Sequence, residues 1–133
     1  MSAADFFDSN TLLYLISPDA GKASRAEQLL RSRGRISVQV LNEFVNVATR
    51  KHALGWAEIE EALLPVRLAC SVEPLTVETH ERATAIAERY GYRIYDSCIL
   101  AAALLAGCTT LWSEDLHDGQ VIEGQLTIRN PFA

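Results

Sequence analysis

Apolar and polar positions along this chain follow two rhythms, short extended runs and longer stretches with helical spacing. Residues 4–7 read as a first strand that runs into the carboxylate of Asp8, then Ser9-Asn10 and an apolar run over residues 12–16. Ser9 or Asn10 is suited to cap a helix over 10–16, which Pro18 and Gly21 punctuate. From Ser24, Ala26, Leu29 and Leu30 recur at helical spacing as far as Gly34, and residues 35–38 form a second strand. Val40, Leu41, Phe44, Val45, Val47 and Ala48 mark a helix over 40–51. Another spans 56–67, bent or ended by Pro65, before a third strand over 70–75. Thr76 opens a helix to Tyr90 through a capping-box pattern, and Gly91 ends it. Residues 97–106 are apolar on every side, so that helix is expected deep in the domain, stopped by Gly107. Residues 109–112 and 126–128 are the last strands. Strands alternating with helices predict an α/β domain: a mostly parallel sheet of about five strands covered on both faces.

Length and composition agree with one globular unit. The chain has 133 residues, 49% hydrophobic and 22% charged, which suits a single domain with its own core. No apolar run reaches the roughly 18 residues of a membrane span, and the N-terminus lacks the cationic-then-apolar order of a signal peptide. A cytoplasmic location without membrane association is expected. Cys70, Cys98 and Cys108 contain no C-x-x-C pair and lie in apolar surroundings, so buried reduced thiols are expected. His52, His80 and His117 are scattered, which speaks against a histidine metal site. The net charge of −5 argues against a broad phosphate-binding surface. Arg25, Arg31, Arg33 and Arg35 nevertheless crowd one segment, followed by Arg50, Lys51 and His52. A local basic patch and a solvated helix face both fit that pattern.

Carboxylates carry the candidate chemistry. Asp8 and Asp115 each follow a strand, and Asp96 begins a helix after a short extended stretch. In a parallel sheet with right-handed crossovers, all three meet at the carboxyl edge of the strands. Glu43 falls at the margin of an apolar helical arc, beside Val40 and Val47, and is able to face the same edge. Singly, each has an ordinary reading: helix caps for Asp8 and Asp96, a boundary glutamate for Glu43. Together they repel unless a cation intervenes, and oxygen ligands without His or Cys select Mg²⁺ or Mn²⁺. Such ions serve phosphoryl chemistry by activating water and stabilising charged oxygens.

Phe7-Asp8-Ser9-Asn10, Leu41-Asn42-Glu43-Phe44, Tyr95-Asp96-Ser97-Cys98-Ile99-Leu100-Ala101-Ala102-Ala103 and Ser113-Glu114-Asp115-Leu116 occur in that order. The set resembles the four motifs of the PIN-domain ribonucleases over nearly the whole chain, and most closely the VapC-type toxins of toxin–antitoxin pairs. The resemblance implies a three-layer α/β/α PIN-like fold, Mg²⁺- or Mn²⁺-dependent cleavage of RNA, a homodimer and a cognate antitoxin. It also implies roles for single residues. Asp8, Glu43, Asp96 and Asp115 would form the acidic quartet, with Asp8 and Asp96 the most direct metal ligands. Glu43 and Asp115 would reach the metal directly or through water, while Asn10 and Ser113 hold the site together. Asp118 lies three residues beyond Asp115, so either or both acids are candidates for the last position. The arginine cluster is open to two uses, contacts to RNA phosphates or a surface for the dimer or antitoxin.

Two rivals define what must be excluded. A PIN-like domain without activity would bind a partner only, yet would have no reason to keep four mutually repelling acids. Asp8-Ser9-Asn10-Thr11 is faintly similar to the start of haloacid-dehalogenase-type phosphatases, but Asn10 stands where their second acid belongs. The phosphate-holding lysine late in such chains is missing too, since the two lysines are Lys22 and Lys51.

Overall fold

The computed structural model describes residues 4–133. Six strands form one sheet: β1 (Asp5–Phe7), β2 (Gly34–Ser37), β3 (Cys70–Glu73), β4 (Thr110–Trp112), β5 (Val121–Ile122) and β6 (Leu126–Arg129). Six helices accompany them: α1 (Ser9–Leu13), α2 (Ala20–Arg31), α3 (Val38–Arg50), α4 (Trp56–Ala69), α5 (Val77–Tyr90) and α6 (Ile94–Leu105). A 3₁₀ turn over Tyr14–Ile16 extends α1. The architecture is a three-layer α/β/α sandwich with strand order β3-β2-β1-β4-β6-β5. All neighbouring pairs are parallel except β5–β6.

That order reverses direction at β1. The chain first steps to β2 and β3 on one side, then crosses to β4 on the other. A crevice therefore opens where the outgoing connections diverge, beyond the carboxyl ends of β1 and β4, where α/β sheets place ligands. The register pairs Phe7 with Trp112, so Asp8 and Ser113 follow side by side.

The core is built around α6, whose residues 97–104 are all buried. α5 packs along it, and α6 also meets α3 and β2. Phe6, Phe7, Ile36, Val40, Phe44, Leu111 and Ile128 complete the apolar interior. Gly34 is needed at the start of β2, because a Cβ there would lie 2.6 Å from the Phe7 ring and 2.9 Å from the Asp5 carbonyl oxygen. Gly91 closes α5 at φ 80°, in the left-handed region glycine enters freely. The three cysteines are free and buried, and burial raises each thiol pKa, those of Cys70 and Cys108 to about 11. Among the described residues, no helix is long and apolar enough to cross a membrane.

Several boundaries differ from the sequence expectation for local reasons. α1 is capped by Asp8, not by Ser9 or Asn10, because the Asp8 carboxylate accepts the Ser9 N–H. α2 begins at Ala20, earlier than Ser24, since Asp19 accepts the Lys22 N–H at 3.1 Å. Ser37 ends β2 and caps α3 through the Val40 N–H at 3.2 Å, so Val38 belongs to the helix. Pro65 does not end α4, which continues to Ala69. Pro65 brings no N–H to the Glu61 carbonyl, and both residues are exposed. In α5 the capping box is Thr76 with Thr79, each backbone N–H bonding the other's hydroxyl at 3.2 Å. The sheet gains β5, joined to β6 by Glu123, Gly124 and Gln125, the first two at φ 51° and 68°, a tight turn that returns the chain antiparallel.

Candidate active site

Asp8 is both a structural cap and the floor of the crevice. Its Oδ1 accepts the Ser9 N–H at 2.6 Å. Its Oδ2 accepts the Ser113 hydroxyl at 2.8 Å and the Asn10 amide at 3.1 Å. The side chain is buried, only 3% exposed. Burial pushes its pKa up to about 7; the Ser113 and Ser9 bonds oppose the rise, and the charges of Glu43 and Asp96 add to it.

The other acids come from separate elements. Glu43, half-buried on α3, accepts the Ser9 hydroxyl at 3.1 Å and the Gln39 amide at 3.1 Å. The boundary glutamate thus finds the partners its position requires. Asp96 lies in the first turn of α6. Arg93 caps that helix without a side-chain bond, and its guanidinium, itself exposed, stands 3.5 Å from the partly buried Asp96, a weak kind of contact for so mobile a partner. Asp115, on the loop after β4, accepts the Asn10 amide at 3.3 Å.

Asn10 ties these parts together. Its amide reaches Asp8, Ser113 and Asp115, and its Oδ1 accepts the Glu114 N–H at 3.0 Å. Ser113 is fully buried and receives the Leu116 N–H at 3.4 Å. Trp112 O accepts the Asp8 N–H at 3.0 Å and the Thr11 hydroxyl at 3.0 Å. The β1 and β4 ends are therefore fixed to one another before any ligand arrives.

Asp8, Asn10, Glu43, Asp96 and Asp115 line one open cavity of about 500 Å³. Its remaining wall includes Leu13, Tyr14, Val47, Lys51, His52, Arg93 and Glu114. Asp118 does not line it; its carboxylate accepts the Asn130 N–H at 2.8 Å and so fastens the end of β6. The four clustered arginines do not converge on the cavity. Arg25 bonds the Pro131 carbonyl at 2.8 Å and lies over the Trp112 ring, while Arg35 pairs with Glu73 at 2.8 Å across β2 and β3. Arg31 and Arg33 are exposed, the former 4.0 Å from Glu27.

One group at the cavity rim has little sequence signal. Tyr14 donates its hydroxyl to Glu114 at 2.6 Å, and Lys22 reaches both at 3.2 Å. Lys22 also lies over the Tyr14 and Phe132 rings. Glu114 adjoins Asp115 in sequence, but its carboxylate is drawn to the rim. Only the spacing of Tyr14 one turn beyond Asn10 hinted at a shared face.

The oxygen-only donor set suits a hard cation. Among the described residues, no three acidic, histidine or cysteine side chains are gathered closely enough to hold one ion between them. Mg²⁺ does not require such a cage, since it retains several waters and takes one or two carboxylates.

Residues 6–117 match the family model described as the PIN domain. Among curated proteins, no sequence matches this chain. The fold is similar to a toxin–antitoxin complex from Klebsiella pneumoniae, with a TM-score of 0.70, 25% identity and 98% of each chain covered. It is similar to DNA-bound VapBC from Salmonella typhimurium, with a TM-score of 0.72 and 20% identity over 98% of this chain and 99% of that one. It is also similar to VapC20 from Mycobacterium tuberculosis, a sarcin-ricin loop cleaving toxin. There the TM-score is 0.68, with 21% identity over 84% of this chain and 89% of that one.

Proposed function

The chain belongs to the PIN-domain family, and on that premise we propose that it is a metal-dependent ribonuclease, the toxin of a toxin–antitoxin pair. The observation that carries this reading is Asp8, a buried carboxylate with its pKa raised to about 7 amid converging acids. Such an arrangement is unfavourable for a ligand-free protein at neutral pH and becomes favourable once a cation neutralises it. The similarity to a toxin–antitoxin complex from Klebsiella pneumoniae supports the toxin assignment and a cognate antitoxin as partner.

Asp8 and Asp96 are the residues that would hold Mg²⁺ or Mn²⁺, with Glu43 and Asp115 engaging directly or through water. A divalent cation supplies a water acidic enough to attack at neutral pH and charge to offset the phosphate oxygens. The chain's own groups do the positioning. Asn10 and Ser113 fix the Asp8 carboxylate by donating to Oδ2. Glu43, held by Ser9 and Gln39, and Asp115, held by Asn10, orient the attacking water. In-line attack on an RNA phosphodiester leaves a 5′-phosphate and a 3′-hydroxyl. Arg93 is the cation beside Asp96; at 88% side-chain exposure it gives way at little cost. The active species in this reading is a homodimer.

Total cellular RNA incubated with the purified protein tests the assignment, in Mg²⁺ or Mn²⁺, in chelator, and with Asp96→Asn. Discrete fragments that disappear with chelator and with the variant are expected. A protein that neither cleaves RNA nor is stabilised by either metal would sink the reading.

A further inference from the structure

The cavity has an acidic floor and a basic wall. Lys51 and His52, at the end of α3, line the same hollow as Asp8, Glu43, Asp96 and Asp115. A second hollow of about 300 Å³ adjoins it, lined by Asn46, Val47, Arg50 and Lys51. Val47 and Lys51 belong to both, so the two form one groove leading from the acids along the C-terminal half of α3.

The cations of this groove are uncommitted. Among the described residues, Arg50, Lys51 and His52 make no side-chain ion pair, and their side chains take part in no hydrogen bond. Arg25 and Arg35, by contrast, are tied to Pro131 and Glu73. Cations in the last turn of a helix offset its dipole, which accounts for Arg50. It extends to Lys51, the C-cap of α3, but does not account for the placing of Lys51 and His52 on the wall of an acidic cavity. Ala53, with φ 53°, turns the chain there.

A polynucleotide has the matching chemistry. Phosphates flanking the scissile one are repelled by the acidic floor and need fixed cations close by, and unpaired bases need polar edges to meet. Asn46 provides such an edge within the groove. We propose that the RNA strand leaves the catalytic cavity along α3, over Val47, with Lys51 and Arg50 holding successive phosphates and Asn46 facing a base. This rests on the ribonuclease reading. It assigns the substrate path to α3, not to the arginine cluster of residues 25–35.

Binding of a short fluorescein-labelled oligouridylate, measured by anisotropy across a salt series in chelator so that no cleavage occurs, tests the path. The Arg50→Ala/Lys51→Ala double variant is expected to flatten the plot of log affinity against log salt by about 1.4, at about 0.7 for each single-strand phosphate that is no longer neutralised. In Mg²⁺, the same variant raises KM for RNA about tenfold while kcat stays within about twofold. Arg31→Ala/Arg33→Ala, the control, changes neither. The proposal is overturned if wild type cleaves RNA but the Arg50/Lys51 pair leaves slope and KM unchanged, or if the control pair moves them instead. An unchanged RNA slope with weakened binding of an acidic peptide would reassign the groove to a protein partner. Absence of cleavage by wild type is a different failure: it removes the ribonuclease reading itself.

Discussion

Ser113 donates its hydroxyl to Asp8 Oδ2 at 2.8 Å, joining the residue after β4 to the residue after β1 at the point where the sheet reverses its order. The bond sets the direction of a carboxylate that is otherwise buried among other acids. Replacing Ser113 with Ala removes that donor and the acceptor of the Leu116 N–H. Losing such a supporting bond typically weakens metal affinity by about 10–100-fold. Titration calorimetry with Mn²⁺ is expected to show a loss of that size for Ser113→Ala and a much smaller one for Ser113→Thr, which keeps the hydroxyl.

Asp8 makes the ligand-free protein sensitive to pH. Its pKa rises from 3.8 to about 7 on folding, chiefly through burial. The folded state therefore binds the proton more tightly, and the resulting stability is complete below about pH 4 and lost as pH climbs through 7. Between pH 5 and 8 the loss is about 2–3 kcal/mol, or roughly 5–10 °C in Tm. Thermal melts in chelator are expected to show that decline. Mg²⁺ at pH 8 reverses it, and Asp8→Asn flattens it. A wild-type Tm that does not fall over this range would contradict the burial argument.

Glu114 and Asp115 are adjacent acids with different partners. Tyr14 and Lys22 hold Glu114 at the rim, whereas Asp115 meets Asn10 beside Asp8. Cleavage assays are expected to show Asp115→Asn losing activity on the order of a hundredfold. Glu114→Gln is expected to stay within about fivefold, since the amide oxygen can still accept the Lys22 bond while its NH₂ donates to the Tyr14 hydroxyl oxygen. Equal losses would show that Glu114 turns inward during the reaction.

Gly34 is a test of the framework alone. A methyl group there would press on the Phe7 ring at 2.6 Å and the Asp5 carbonyl at 2.9 Å. Overpacking of this kind costs about 1–3 kcal/mol. Chemical denaturation of Gly34→Ala should register that loss, and with β1 displaced, Mn²⁺ affinity should fall as well.

The sequence is most legible where long-range rules constrain it. Parallel strands with helical crossovers leave few topologies, so strand order sends Asp8 and Asp115 to one edge, and in the structure Glu43 on α3 and Asp96 on α6 line the same cavity. The cap and site readings of Asp8 are rivals in the sequence; the structure shows the cap and leaves the second oxygen at the cavity floor, because one oxygen caps α1 while the other meets Ser113. What escapes detection depends on side-chain reach or short-range geometry. β5 is only two residues long, and its turn uses Glu123-Gly124 in place of the usual Asn-Gly signal. Lys22 and Glu114 meet across 92 residues, a pairing no periodicity encodes. Arg25, Arg31, Arg33 and Arg35 are close in sequence but are spread over a helix, a turn and a strand, so proximity along the chain does not become a patch.

The double duty of Asp8 has an evolutionary consequence. On the nuclease reading, selection for folding and selection for chemistry act on the same carboxylate at that position, since it caps α1 as well as facing the cavity. Among the described residues, Asp115 is exposed and bonded only to Asn10, so on the nuclease reading catalysis alone restrains it. In a lineage that gave up cleavage, decay would begin at Asp115 and reach Asp8 last, and when Asp8 changed, the replacement would be another helix-capping residue.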